Sequence, residues 1–283
     1  MRRLVLFCLL LTLFCAPGQA HAASQPPKNR GLFITPIRQY LKINPRQKQD
    51  GSLTVADITD KAIIVTMSYE QFSAADYTYD YQFKPPTDKW ITFSQTQVQL
   101  GPDKSQTIHY TVDVPKNASP GGHYFTLFAT TTFTNDAAPS KVRAASVMYV
   151  TVAGDLRLTS QIIAQHVPWL ALGNSIDFSL DLKDTGNTHF FVYTSGRLSG
   201  PSAKGPGEET VHLLLPSATR NVAGNTPAPF LPGVYKMTYG YRTDDGQIIQ
   251  RASLLVYLPP WSWAIPVGVG FLVWWWRGRR RRV

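Results

Sequence analysis

The sequence of 283 residues predicts an all-β protein of two tandem β-sandwiches, preceded by a signal peptide and followed by one transmembrane helix. Three observations carry that prediction. Between residues 30 and 258 no stretch keeps a helical apolar period over successive turns. Short alternating or β-branched runs recur instead, separated by Gly, Pro, Asn and Asp. An uncharged stretch from Leu258 to Trp276 then runs into an arginine cluster.

Taken in order, Arg2 and Arg3 form a short basic region, residues 4–14 a hydrophobic one, and Ala20-His21-Ala22 an A-x-A cleavage site. Residues 1–22 therefore read as a secretory signal peptide, and 23–30, polar with Pro26-Pro27, as a short leader. Cys8 and Cys15 both fall inside the signal peptide, so the mature chain has no thiol, disulfide or cysteine metal site. An exported protein without disulfides is held by its core, and residues 23–258 are long enough to build two.

The first sandwich is expected over 31–153, with strands at 32–35, 53–58, 62–71, 77–83, 90–93, 97–100, 105–114, 123–133 and 146–152. The clearest is 105–114, where Thr107, His109, Thr111 and Asp113 alternate with Ile108, Tyr110, Val112 and Val114: one face is apolar, the other wet. Pro120-Gly121-Gly122 suits a type II turn, with proline fixing φ and glycine supplying the positive φ that follows. Trp90 and Phe93 are expected in the core. Gly154 opens the second sandwich, 154–258, with strands at 156–164, 175–182, 190–196, 210–215, 233–243 and 248–257. Asp244-Asp245-Gly246 is a tight hairpin connection between the last two.

Residues 259–276 are expected as the membrane helix and 277–283 as a cytoplasmic tail. Trp261 and Trp263 at one end and Trp274, Trp275 and Trp276 at the other form two aromatic belts, and Arg277, Arg279, Arg280, Arg281 and Arg282 form a positive-inside stop. Belt to belt is about 22 Å at ~1.5 Å per residue, short of a hydrocarbon core of about 30 Å, a deficit that snorkelling and local thinning make up. Of 28 Lys+Arg, two lie in the signal peptide and five in the tail, leaving 21 against 18 acidic residues. The formal charge of +10 is thus mostly topological, and it excludes a nucleic-acid partner.

No enzyme template fits: His-Glu-x-x-His, Gly-x-Ser-x-Gly and a phosphate-cradling Gly-rich loop are all missing. His109, His123, His166, His189 and His212 are scattered singly, without metal-ligand spacing. No catalytic residue, metal or cofactor is expected. The segment from Asp76 to Phe83 alternates polar and aromatic residues, so Tyr77, Tyr79, Tyr81 and Phe83 share one face of any regular strand they form. That face either packs on the core or, as amphipathic rings in a row, forms a candidate ligand-binding surface.

Ile34-Thr35-Pro36, Trp90-Ile91-Thr92-Phe93, the Val98–Pro102 turn and the run from Val112 through Pro120-Gly121-Gly122-His123-Tyr124 resemble the first domain of bacterial WxL-interacting-type surface proteins. Asp184-Thr185-Gly186-Asn187-Thr188-His189 and Pro232-Gly233-Val234-Tyr235 resemble features of related two-domain proteins. The resemblance implies two immunoglobulin-like sandwiches, a peptidoglycan-binding first domain and a carboxy-terminal anchor. The strand and turn rhythm also resembles periplasmic pilus-chaperone domains. The expectation is therefore a non-catalytic, single-pass protein of a bacterial cell membrane, its N-terminal ectodomain outside and its C-terminus cytoplasmic. Its partners are cell-wall glycan or another envelope protein, and the bilayer itself. The alternative is a membrane-tethered chaperone or assembly subunit for exported proteins, acting by strand addition at a sheet edge.

Overall fold

A computed structural model describes residues 31–87, 89–133 and 140–280; the signal peptide, the leader, both cysteines, Arg281 and Arg282 lie outside the described residues. The first sandwich comprises β1 (Leu32–Thr35), β2 (Arg38–Ile43), β3 (Lys48–Asp57), β4 (Ile63–Ala74), β5 (Tyr81–Lys84), β6 (Ile91–Phe93), β7 (Gln97–Leu100), β8 (Ser105–Asp113), β9 (Gly121–Phe133) and β10 (Ser140–Val152). One sheet runs β1-β3-β8-β6 and the other β2-β10-β9-β4-β5, with β7 also on β4. The alternation of β8 is realised: Ile108, Tyr110 and Val112 are buried while Thr107 and His109 face water. They meet Val55, Trp90, Phe125, Leu127, Met148 and Val150 in one core, each large side chain contributing about 1.5–3 kcal/mol by leaving water. Trp90 lies in that core as expected, with Phe93 packed against it.

The second sandwich comprises β11 (Ser160–His166), β12 (Leu170–Ala171), β13 (Ser175–Asp184), β14 (Phe190–Ser199), β15 (Thr210–Leu214), β16 (Thr219–Pro227), β17 (Gly233–Thr243) and β18 (Ile248–Tyr257). Its sheets run β11-β13-β16 and β12-β18-β17-β14-β15. Between them pack Phe178, Leu180, Leu182, Val192, Val222, Tyr235, Met237, Tyr239 and Leu255. The hairpin expected at residues 244–246 joins β17 to β18.

Several strand assignments differ from expectation: β12 is new, β3 starts at Lys48 and not at residue 53, and β11 starts at Ser160 and not at residue 156. β2 is added, because half of Arg-Gln-Tyr-Leu-Lys-Ile is exposed and its inward positions, Gln39, Leu41 and Ile43, mix polar with apolar residues. β16 is added, because its inward positions include Gly224 beneath the Phe178 ring and Thr226, neither of which reads as apolar. β10 starts at Ser140, not at residue 146.

The carboxy terminus corrects a larger expectation. After Pro259 the chain makes a 3-10 turn, Pro260–Trp263, and then α1 (Ala264–Arg280), 17 residues whose last turn carries arginine. Among the described residues no helix is long and apolar enough to cross a membrane. The prolines break the 259–276 run, so the apolar part of α1, 264–276, spans roughly 20 Å, well short of about 30 Å. Trp261 and Trp263 belong to the turn, Trp274, Trp275, Trp276 and Arg277 are exposed on α1, and Arg279 and Arg280 end it. The expectations of a single-pass anchor, a bilayer partner and residence in the membrane through this helix do not stand.

Candidate functional site

β10 is the strand on which the molecule turns. On one side it pairs with β9 without interruption, from Ser140↔Phe133 to Val152↔Gly121. On the other it pairs with β2, in parallel, only from Val147↔Arg38 to Val152↔Ile43. Among the described residues no strand pairs with that side of residues 140–146. The cover stops at Pro36, where the chain leaves β1 of one sheet for β2 of the other: Ser146 Oγ donates to Pro36 O (2.6 Å) and Gln39 Nε2 to Ser146 Oγ (3.1 Å). The N–H of Val147 donates to Ile37 O (2.8 Å) and that of Ala153 to Ile43 O (3.0 Å). Backbone groups alternate sides along a strand, so the N–H and C=O of Lys141, Arg143 and Ala145 point out of the open edge.

The outer sheet face beside this edge is partly aromatic. The Arg143 guanidinium pairs with Glu70 (2.6 Å) and lies 3.6 Å over the Phe128 ring, which Phe83 meets edge-on at 5.3 Å. A shallow groove of about 660 Å³ runs alongside, lined by Ile64, Thr66, Ser68, Thr130, Thr132 and Lys141.

The covered half of β10 is built into the junction between the sandwiches. Phe72 and Tyr149 of the first domain and Leu213, Leu215 and Ala218 of the second form a third core, with Tyr79, Tyr81, Tyr124, Val147 and Phe191 packed on it. Backbone bonds cross the junction: Tyr77 N–H donates to Thr219 O (2.8 Å), Thr219 N–H to Asp76 Oδ1 (2.7 Å) and Gly122 N–H to Asn187 O (2.8 Å). Asn187 is a clip, its Nδ2 donating to Asp155 O (2.8 Å) and Pro120 O (3.3 Å) while its Oδ1 accepts from Arg157 N–H (2.8 Å). Gly121, at φ 126°, takes the positive φ expected of its turn, and a Cβ there would stand 2.3 Å from Asn187 O. Gly186 is pressed as closely, a Cβ coming within 2.0 Å of Arg157 O.

The loop of residues 184–189 faces this junction. Asp184 is fully buried; its Oδ1 accepts from Gly186 N–H (2.7 Å), and burial pushes its carboxyl up to about 7. The His189 ring sits among Tyr40, Tyr124 and Tyr149, with centroids 5.9, 5.6 and 5.2 Å away, and burial pushes its imidazole down to about 4. Asp184 Oδ2 and His189 Nδ1 are buried without a protein hydrogen-bond partner. Burial raises the phenols of Tyr79, Tyr124 and Tyr149 above their ordinary range.

The aromatic row does not form one strand face. Tyr77 and Tyr79 adopt left-handed backbone, φ 63° and 60°, in a turn closed by Tyr79 N–H to Ala75 O, and only Tyr81 and Phe83 lie in β5. Tyr79 packs in the junction beneath Arg220, whose guanidinium carbon is 4.4 Å from the ring. Tyr81 is half-buried, its hydroxyl 2.7 Å from that of Tyr149. Tyr77 and Phe83 are exposed at 56% and 43%, at opposite ends of the segment. The open edge of β10 escaped the sequence, because an edge is defined by where its neighbour stops.

No family model and no curated protein matches the chain. Among solved structures it is similar to the class 5 fimbriae chaperone CfaA, at 10% identity over 81% of this chain and 100% of that one, TM-score 0.44. It is also similar to the E. coli chaperone DraB, at 14% identity over 80% and 97%, TM-score 0.37. A Salmonella enterica SafA pilin–SafB chaperone complex gives 10% identity over 82% and 98%, TM-score 0.39. These similar structures are fimbrial chaperones and not WxL-interacting-type proteins, so the latter resemblance is withdrawn, and with it the peptidoglycan-binding reading and the cell-surface placement. The motifs behind it, such as Pro120-Gly121-Gly122, meet the backbone needs of a turn and of the domain junction.

Proposed function

We propose that this chain is a non-catalytic chaperone or assembly subunit for exported proteins, which lends the edge of β10 as a strand to a partner polypeptide. The observation that carries it is the side of residues 140–146 that no strand among the described residues pairs with, on a strand held by β9 along its whole length. An uncovered edge in the middle of a sheet path is a template that folded proteins ordinarily blunt. Strand addition gives affinity through main-chain bonds and selectivity through alternate side chains. The partner class is an extended segment of an exported polypeptide; a tip adhesin and a pilin are the partners in two of the similar complexes. Export rests on the signal-peptide pattern of residues 1–22.

The test uses proline to remove single backbone donors. Ala145→Pro deletes an N–H aimed at the open edge and spares the β9 ladder; Ala144→Pro deletes one aimed at β9. Exported subunits from the native envelope should be retained by the unaltered chain and slow amide exchange at Lys141, Arg143 and Ala145. Ala145→Pro should lose that retention while staying folded, and Ala144→Pro should unfold the first sandwich. Retention unchanged by Ala145→Pro sinks the proposal.

A further inference from the structure

We propose that Lys141 makes the open edge of β10 selective for a partner strand that carries acidic side chains on its outer face. The selection rests on the strand-lending role proposed above and specifies the polypeptide that fits it. Side chains of residues 140–146 alternate between the two faces of the sheet. Val142 and Ala144 turn inward and pack, half-buried, against the first core. Lys141 and Arg143 turn outward beside Thr132 and Thr130 of β9, and both are exposed. A strand added at the edge repeats that alternation, so every second side chain of the partner lies beside this basic pair.

The two cations are not equivalent. Arg143 is neutralised within the molecule by Glu70 at 2.6 Å, and its guanidinium covers the Phe128 ring. Lys141 has no carboxylate partner among the described residues. It lines the β10 side of the groove of about 660 Å³, and Lys61 lines the β4 side. Between them lie the hydroxyls of Thr66, Ser68, Thr130 and Thr132, and no carboxylate is among the lining residues. Ammonium groups only donate and hydroxyls can donate, so this lining receives a carboxylate and repels a cation. The same charge works against a wrong pairing. Two copies meeting edge to edge at 140–146 would bring their basic side chains together, whereas an acidic strand meets them with opposite charge.

Short peptides in which valine alternates with glutamate, with glutamine or with lysine test this against the full chain. At low salt the glutamate peptide should bind the unaltered chain at least about tenfold more tightly than the lysine peptide, with the glutamine peptide between them. It should also slow amide exchange at Lys141, Arg143 and Ala145. At about 1 M salt, where charges are screened within about 3 Å, the ratio should fall below about threefold. Lys141→Glu, at an exposed position, should reverse the order of the peptides, and Lys141→Arg should keep it. Protected amides of Val112 and Leu180, inside the two cores, report that each variant is folded. Ala145→Pro should abolish binding of every peptide. Glutamate and lysine peptides that slow the edge amides alike overturn the charge selection and leave the strand-lending edge standing. An order of peptides that Lys141→Glu leaves in place does the same. Peptides that slow none of the edge amides overturn both.

Discussion

The two halves of β10 share one neighbour and differ in the other. Residues 147–152 are flanked by β9 and β2, and Val147 and Tyr149 among them are sunk in the domain junction; among the described residues only β9 pairs with 140–146. The difference arises more than a hundred positions away, at the Thr35–Pro36 step. Thr35 is already paired with Thr54 in the opposite sheet, and proline has no N–H to offer β10. One strand thus combines a fixed half, which sets where the second domain sits, with a free half that has hydrogen bonds to give.

The contrast can be broken most severely at Tyr149. Its ring is fully buried, stacks on Tyr40 at 4.9 Å and meets Phe72 edge-on. Tyr149→Ala should cost about 3–5 kcal/mol in urea unfolding, as large-to-small core changes do; a cost under about 1 kcal/mol would erase the distinction between the halves. Asn187→Ala should cost less, about 2 kcal/mol for the lost clip. It should leave a single calorimetric transition, since the bonds at Tyr77, Thr219 and Gly122 and the third core still join the domains. Ala145→Pro should lower stability by only about 1 kcal/mol at this unpaired position while removing partner retention. Arg143→Ala, which loses the Glu70 pair and the cover over Phe128, should be smallest, at about 0.5–1 kcal/mol by thermal unfolding. If Arg143→Ala matched Tyr149→Ala in cost, the free half would be as structural as the fixed one.

Much of the fold was legible wherever residues face one way. β8 and β17 bury alternate apolar side chains, and their periodicity is written in the sequence. β2 and β16 were invisible because the first turns glutamine inward and tyrosine outward and the second turns glycine and threonine inward. The aromatic row misled because left-handed backbone at a tyrosine, seen at only a few per cent of non-glycine residues, cannot be read from alternation. The carboxy terminus misled in the opposite sense: hydropathy was summed across prolines that end the helix. At the site, Asp184-Thr185-Gly186-Asn187-Thr188-His189 stood out as a motif, but its role at the junction depends on tyrosines from strands far away in sequence. The open edge left no trace, since pairing is a property of two segments together.

The parallel pairing of β2 with β10 also has a consequence for the order of synthesis. Arg38 finds its partner only at Val147, so β2 waits through most of the first domain before its sheet can close. Contacts this distant are slow to form and leave early strands exposed to misassembly. The strand that ends the wait is the same one that carries the free edge. On the ribosome or at the export channel, the first sandwich and its edge are therefore finished in one event, and no partial chain that lacks β10 has a strand to lend.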